Sequence, residues 1–118
     1  MNTYDLFTGE ELEIAELIQQ RRLQMLVHSL IYYDLNHNII SDKTWQEWAW
    51  ELRDLQQSYP EIEKKVPYRE GFENWDGSTG AFLPYKSETI QRIAFKLTHL
   101  DANSKAKKTQ KNGRRRLF

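Results

Sequence analysis

A short polar break at residues 36–38 lies between side chains that could hold a flat, polar ligand. Tyr32 and Tyr33 precede the break, and Asp42 and three tryptophans, Trp45, Trp48 and Trp50, follow it. Aromatic rings stack on planar ligands, and a carboxylate accepts hydrogen bonds from hydroxyl or amide groups. Aromatic residues at helical spacing also fill hydrophobic cores, so the same residues are compatible with simple packing between two helices.

Other reactive residues form no recognisable catalytic or metal-binding pattern. His28, His37 and His99 are not spaced as metal ligands, and the chain contains no cysteine. The segment DGSTG at 76–80 offers anion-binding backbone groups, but it is also typical of a turn, and Ser78 has no histidine in a nucleophile motif. The sequence therefore predicts a non-enzymatic protein without a cofactor or a metal.

Positive charge is concentrated at the C-terminal end. From Met1 to Asp101 the chain has ten Lys and Arg against all 17 Asp and Glu, a net charge of −7. The other seven cations are Lys105, Lys107, Lys108, Lys111, Arg114, Arg115 and Arg116. Such a basic tail is typical of contact with phosphates or with an acidic protein, although it can also be a solubilising end. We expect these seven residues to contact nucleic acid or a protein partner.

The elements that must position these side chains are helices. Thr8 and Glu11 have the spacing of a capping box, and an apolar period of 3.6 residues then runs to about residue 35. Ser41 or Asp42 caps a second helix, which Pro60 ends. We expect the two helices to form an antiparallel hairpin in which two apolar stripes face each other. The stripe on the second helix is Trp48, Leu52 and Leu55, and the stripe on the first is Leu23, Leu26, Val27 and Leu30.

The segment 66–85 is an aromatic loop that contains three of the five glycines. Asp76-Gly77 is a turn signal that could pair 72–75 with 78–82 as a small β-hairpin. Pro84 and Ser87 then introduce a third helix. The prediction is a mainly α domain at 1–102 with a loop insert at 63–86, followed by a basic tail at 103–118.

The stretch from about residue 23 to residue 62 resembles the N-terminal helical domain, domain Ia, of NAD-dependent DNA ligases. The corresponding letters are Tyr32 and Tyr33, then Ile40-Ser41-Asp42, Trp45, Gln46, Glu51-Leu52, Leu55 and Pro60-Glu61. In those ligases the hairpin holds the nicotinamide mononucleotide half of NAD during self-adenylation. The resemblance therefore implies a nicotinamide-nucleotide site at Tyr32, Tyr33, Asp42 and Trp45.

Three of the corresponding positions depart from the ligase pattern. Tyr33 stands where the family has histidine, Trp45 where it has tyrosine, and Gln46 where it has aspartate. An aromatic replacement can still stack on a ligand, but the chain has fewer polar groups that would orient a ribose. In N-W-D-G, Asn74 stands where the ligases have their lysine nucleophile, and an amide cannot form a phosphoramide. No ligase activity is expected.

The whole string also looks like small ligase-like accessory proteins of phages and prophages of Gram-positive bacteria. Our first hypothesis is a phage-type binding protein that acts on a nucleic-acid-handling enzyme or its nucleic acid. More specifically, the phage resemblance implies that this binding protein inhibits a host defence nuclease, such as a CRISPR effector. A nicotinamide-nucleotide-binding module and a structural or assembly protein of a phage are the alternatives.

The expected partner is a protein or a ribonucleoprotein, with nucleic acid contacted through the tail. No apolar run approaches membrane-spanning length, so no membrane partner is expected. The absence of cysteine and of an export signal favours the cytoplasm of a bacterial host cell.

Overall fold

The computed structural model describes the backbone of residues 7–106 and the side chains of residues 7–100. Its helices are α1 (Gly9–Tyr33), α2 (Asp42–Ser58), α3 (Pro60–Glu63) and α4 (Glu88–Ala106). No strand forms within residues 7–106, so the prediction of a mainly α fold is confirmed. None of the helices in this range combines the length and the apolar character needed to cross a membrane.

Helix α1 begins and ends where its local chemistry requires. The Glu11 carboxylate accepts hydrogen bonds from the Thr8 backbone N–H at 3.2 Å and from the Thr8 hydroxyl at 3.0 Å. This arrangement satisfies a backbone donor that the helix itself cannot pair. At the other end, Asn36 takes a left-handed conformation with φ of 51°, which asparagine tolerates better than most residues. The chain can therefore turn back toward α2.

Helix α2 starts at a serine cap and runs opposite to α1. The Ser41 hydroxyl accepts the Thr44 backbone N–H at 3.0 Å, which decides between the two caps that the sequence allowed. His28 of α1 lies beside Trp48 of α2, with ring centroids 5.9 Å apart. Arg22, which precedes His28 in α1, contacts Gln56, which follows Trp48 in α2. Because the contacts pair in reverse order, the two helices are antiparallel. Pro60 ends α2 and begins the single turn of α3, which the sequence did not predict.

The core is centred on α1, which contacts both α2 and α4. Its buried apolar residues are Ala15, Ile18, Met25, Leu26, Val27, Leu30, Ile31, Ala49, Leu52, Ile62, Val66, Phe72, Leu83, Tyr85, Ile90 and Ala94. Of the predicted α2 stripe, Leu52 is fully buried, whereas Trp48 and Leu55 are only partly buried at the edge of the core. Trp48 is capped on its outer side by the Arg21 guanidinium, 5.2 Å from the ring centroid.

A buried arginine ties α1 to α3 and to the start of the insert. The Arg22 side chain has no exposed surface and donates to Glu63 Oε1 at 2.8 Å, to Gln56 Oε1 at 2.8 Å and to the Val66 carbonyl at 2.9 Å. Burial lowers the pKa of the Arg22 guanidinium, and the Glu63 carboxylate opposes that shift. The hydrogen bonds and the ion pair that the Arg22 guanidinium makes with these acceptors offset the free-energy cost of burying its charge.

The insert forms turns, so the β-hairpin predicted for 72–75 and 78–82 is wrong. Phe72 is buried, and its ring meets Trp75 edge-on with centroids 5.1 Å apart. The Trp75 indole N–H donates to the Thr79 carbonyl at 2.9 Å. The segment is held against α2 by the edge-on contact of Trp75 with Trp45, at 6.2 Å between ring centroids, and by the Gln56 amide nitrogen, which donates to the Phe72 carbonyl at 3.1 Å. A two-stranded hairpin alone contributes little stability in water.

Helix α4 begins after Ser87, as predicted, with the Ser87 hydroxyl accepting the Ile90 backbone N–H at 3.3 Å. It continues to Ala106, so the start of the predicted tail, residues 103–106, belongs to this helix. Residues 107–118 lie outside the described part of the chain.

Candidate functional site

A pocket of about 250 Å³ opens where the end of α1, the connection to α2, the start of α2 and the turn at 78–80 meet. It is lined by His28, Ser29, Ile31, Tyr32, Tyr33, His37, Asn38, Ile39, Ile40, Asp42, Trp45, Gln46, Ser78, Thr79 and Gly80. The reversal of the chain after α1 creates this pocket, because it brings the end of one helix beside the start of the next. Two helix ends, the connection between them and a turn of the insert therefore contribute to one cavity.

The structure brings together all four residues that the sequence proposed for nucleotide binding. Tyr32, Tyr33, Asp42 and Trp45 line this pocket. Tyr32 is 52% exposed and Tyr33 is 44% exposed, whereas Trp45 is partly buried. The tyrosines thus present accessible ring surface at the rim, and the tryptophan contributes apolar surface closer to the core.

Neighbouring aromatic residues fix the orientation of these rings. Tyr33 meets Tyr32 edge-on at 4.9 Å between centroids and stacks on Tyr85 at 6.2 Å, with 9° between the ring planes. Trp45 meets Trp75 edge-on at 6.2 Å. Burial, and then the nearby Asp34 carboxylate, raises the pKa of the Tyr85 hydroxyl. The aromatic wall is therefore built partly by the insert and partly by the two helices.

The turn at 76–80 closes one side of the pocket and is held there by specific bonds. The Gln46 amide nitrogen donates to the Gly77 carbonyl at 2.9 Å. The Asp76 carboxylate accepts the Ser78 backbone N–H at 2.9 Å, and hydrogen bonds from the Ser78 hydroxyl and backbone lower the pKa of Asp76. The Tyr33 and Thr79 hydroxyls lie 3.2 Å apart, at hydrogen-bonding distance. The turn is thus attached to both helices.

This attachment gives Gln46 a structural role that an aspartate could not fill. An amide can donate to a carbonyl, whereas an ionised carboxylate only accepts. Gly77 packs so closely on α2 that an added Cβ would lie 3.2 Å from the Ala49 carbonyl oxygen, and its φ of 79° favours glycine. The departure from the ligase pattern at residue 46 therefore coincides with the docking of a turn onto α2.

Ser29 forms part of the pocket floor and was missed by the sequence analysis. It is 1% exposed, and its hydroxyl has no hydrogen-bond partner among the described residues. Gly80 covers it so closely that a Cβ on Gly80 would overlap the Ser29 hydroxyl. A sequence signal exists, because Ile18, Arg22, Met25 and Ser29 follow one helical stripe in which two polar residues interrupt an apolar pattern.

The remaining predicted contact residues lie outside the side chains that the structure describes. Lys105 lies in α4, but its side chain is outside the described set, and Lys107, Lys108, Lys111, Arg114, Arg115 and Arg116 are outside it altogether. Among the side chains that are described, no group of three His, Cys, Asp or Glu residues could hold a metal ion. The pocket is therefore the candidate site that the structure supports.

Part of this sequence is similar to part of a DNA ligase. The chain is 46% identical over 48 residues to a DNA ligase of Bacteroides fragilis. The match covers 41% of this chain but only 7% of the ligase. No family model matches the chain, and no solved structure matches it. A region of the chain is therefore related to a small part of a DNA ligase.

Proposed function

We propose that the pocket between α1 and α2 binds a nucleotide that carries a nicotinamide ring. The observation that supports this function is the convergence of Tyr32, Tyr33, Asp42 and Trp45, from two helices, on one pocket. The same four positions are those that the resemblance to the ligase hairpin marks as a nucleotide site. The partial match to a DNA ligase supports a relation of part of this chain to a ligase.

The pocket has the chemistry that such a ligand needs. Its tyrosine and tryptophan rings offer stacking surface for a planar heterocycle, and the Asp42 carboxylate can accept hydrogen bonds from ribose hydroxyls. Its volume of about 250 Å³ lies below the roughly 300–1,000 Å³ typical of small-molecule sites. It therefore suits the nicotinamide half of a dinucleotide better than the whole molecule.

Calorimetric titration with nicotinamide mononucleotide tests this function. We expect a Kd of about 1 mM or lower, because stacking and one charged hydrogen-bond acceptor together support affinity of that order. Asp42→Asn should weaken binding about tenfold, since a hydrogen bond to a charged acceptor contributes more than one to a neutral amide. Tyr32→Leu should also weaken it, because the stacking ring is lost.

The matched control is Glu47→Gln, which neutralises another exposed carboxylate of α2 that does not line this pocket. It should bind like the wild-type protein. Undetectable binding at millimolar ligand, or an Asp42→Asn variant that binds as well as wild type, would contradict the proposed function.

A second candidate function is binding to a protein partner, without catalysis by this chain. The outer face of α2 presents Trp50, which is 48% exposed, beside Glu47, Glu51 and Asp54. Two of these carboxylates are ion-paired, Glu51 with Arg21 at 2.6 Å and Asp54 with Arg53 at 2.8 Å. An aromatic residue among acids suits the basic surface of a protein that handles nucleic acid. This face supports our first hypothesis, a binding protein directed at a nucleic-acid-handling enzyme. Inhibition of a host defence nuclease stays a prediction from the phage resemblance.

A further inference from the structure

Residues 76–82 of the insert cover one side of the pocket between two fixed ends, and this segment is called the lid below. At the first end, Trp75 meets the ring of the buried Phe72 edge-on, with centroids 5.1 Å apart. At the second end, Leu83 is 5% exposed and belongs to the hydrophobic core. Burial of these side chains stabilises both ends, whatever the segment between them does.

Apolar burial does not hold the lid itself. Its buried residues are Gly77 and Gly80, which have no side chain. Phe82, its one large apolar residue, is 90% exposed. A segment with few buried apolar side chains opens at a lower free energy than the core unfolds. The lid can therefore separate from the helices while the core stays folded.

Hydrogen bonds attach the lid to both helices. The Gln46 amide nitrogen of α2 donates to the Gly77 carbonyl at 2.9 Å, and the Tyr33 hydroxyl of α1 lies 3.2 Å from the Thr79 hydroxyl. Tyr33 is 44% exposed, so water is available to replace this bond. Because each such bond is exchanged for bonds to water when the lid opens, its net contribution to closure is small.

A buried hydroxyl under the lid favours opening. Ser29 is 1% exposed, and its hydroxyl has no hydrogen-bond partner among the described residues. Gly80 lies directly over it, since a Cβ added to Gly80 would overlap the Ser29 hydroxyl. A buried polar group without a partner has lost its hydrogen bonds to water. Closing the lid therefore carries a free-energy cost at the pocket floor, and opening relieves that cost.

We propose that residues 76–82 open and close over the pocket floor while Trp75 and Leu83 stay in place, and that opening exposes Ser29. In the closed state the lid seals the floor, and in the open state water or a ligand reaches the Ser29 hydroxyl. The movement depends on the packing and hydrogen bonds of this chain and not on the identity of a ligand. It therefore goes beyond nucleotide binding and is testable on the protein alone.

Thiol labelling with N-ethylmaleimide measures this opening, because the chain contains no cysteine. Ser29→Cys places one thiol under the lid, and Val27→Cys places one at a fully buried core position of the same helix. Urea unfolding of each variant gives the labelling rate that global unfolding alone allows. We expect Val27→Cys to match that rate and Ser29→Cys to exceed its own by at least about tenfold, because local opening needs less free energy than global unfolding.

Variants assign the opening to the lid. In the Ser29→Cys background, Gln46→Leu should speed labelling about fivefold, because a hydrogen bond that keeps the lid closed is lost. Gln57→Leu, at an exposed position of the same helix, should leave the rate unchanged. In the chain without cysteine, Ser29→Ala should slow hydrogen exchange of the Gly80 amide at least about fivefold, because closure no longer buries an unpaired hydroxyl.

Any one of three results would overturn the proposal. If Ser29→Cys is labelled only as fast as its global unfolding allows, the lid does not open. If Gln46→Leu leaves that labelling rate unchanged, the reagent reaches the floor by a route that does not involve the lid. If Ser29→Ala leaves the Gly80 exchange rate unchanged, opening does not relieve a buried hydroxyl. None of these results bears on nicotinamide binding, which calorimetry measures separately.

Discussion

Two polar residues on the buried stripe of α1 show how differently single side chains can be accommodated. Arg22 is fully buried and donates to a carboxylate, an amide oxygen and a backbone carbonyl. Ser29 is equally buried, but its hydroxyl has no partner among the described residues. A buried polar group without a partner costs about 1–3 kcal/mol. Arg22 therefore serves the fold, whereas Ser29 weakens it at the floor of the candidate site.

We predict that Ser29→Ala leaves the free energy of unfolding unchanged or raises it by about 1 kcal/mol, because an unsatisfied hydroxyl is removed. Urea unfolding followed by circular dichroism measures this change. The same substitution at the N-cap of α2, Ser41→Ala, should instead cost about 1 kcal/mol, since its hydroxyl accepts the Thr44 N–H. A loss of more than about 1 kcal/mol for Ser29→Ala would show that its hydroxyl is paired in solution.

At the scale of elements, the helix pair needs the insert to complete the pocket. Helices α1 and α2 place the tyrosines, Asp42 and Trp45, but the turn at 76–80 supplies the third side. Gln46 holds that turn through the Gly77 carbonyl, and the Thr79 hydroxyl meets Tyr33 at 3.2 Å. The amide of Gln46 is therefore as important for the pocket as the residues that would touch a ligand.

Gln46→Glu tests this attachment. At pH 7 the introduced carboxylate cannot donate to the Gly77 carbonyl, so we expect a loss of about 1–3 kcal/mol in unfolding free energy. The carbonyl also disfavours ionisation, which raises the folded-state pKa of the introduced group above its unfolded value. The neutral form can donate, so the loss should shrink as the pH falls through that raised pKa toward 4.

Unfolding of wild type and variant at pH 7 and at pH 4 measures both effects. Gln57→Glu, at an exposed position of the same helix, should change stability by less than about 0.5 kcal/mol. An equal loss at both pH values would mean that packing, and not the donated hydrogen bond, holds the turn.

At the scale of the whole molecule, charge is divided between two parts of the chain. Residues up to Asp101 carry a net charge of −7, and seven cations follow. Helix α4 extends to Ala106, so the last twelve residues, with six of these cations, can be removed without shortening any described helix. The acidic part repels a bare polyanion, which makes the C-terminal cations the expected contact for nucleic acid.

We predict that truncation after Ala106 weakens binding to single-stranded and duplex probes at low salt and makes the salt dependence of the affinity shallower. Each lost phosphate contact should reduce the slope of log K against log salt by about 0.7–0.9. Fluorescence anisotropy across a salt series measures both quantities. A full-length variant with the six cations replaced by glutamine should behave like the truncated chain, because the effect depends on charge. Identical slopes for all three proteins would assign any nucleic-acid contact to the helical part.

The sequence by itself determined the local features of this protein. The capping box at Thr8, a cap at Ser41 or Asp42, the asparagine at the end of α1 and the proline after α2 act within a few residues, so they can be recognised without a fold. The structure was needed to choose Ser41 as the cap. The set Tyr32, Tyr33, Asp42 and Trp45 came from the resemblance to the ligase hairpin, and the short connection between antiparallel helices explains why these residues lie close together.

Only the tertiary structure decided how the insert and the buried polar residues are used. The insert forms turns that pack on α2 and close the pocket, because aromatic contacts with Phe72 and Trp75 outweigh a local hairpin signal at Asp76-Gly77. The partners of Arg22 are 34–45 positions away in the chain, and Gly80 reaches Ser29 from beyond α2. Such long-range contacts leave no periodic signal in the sequence, since they depend on how separate elements pack against one another.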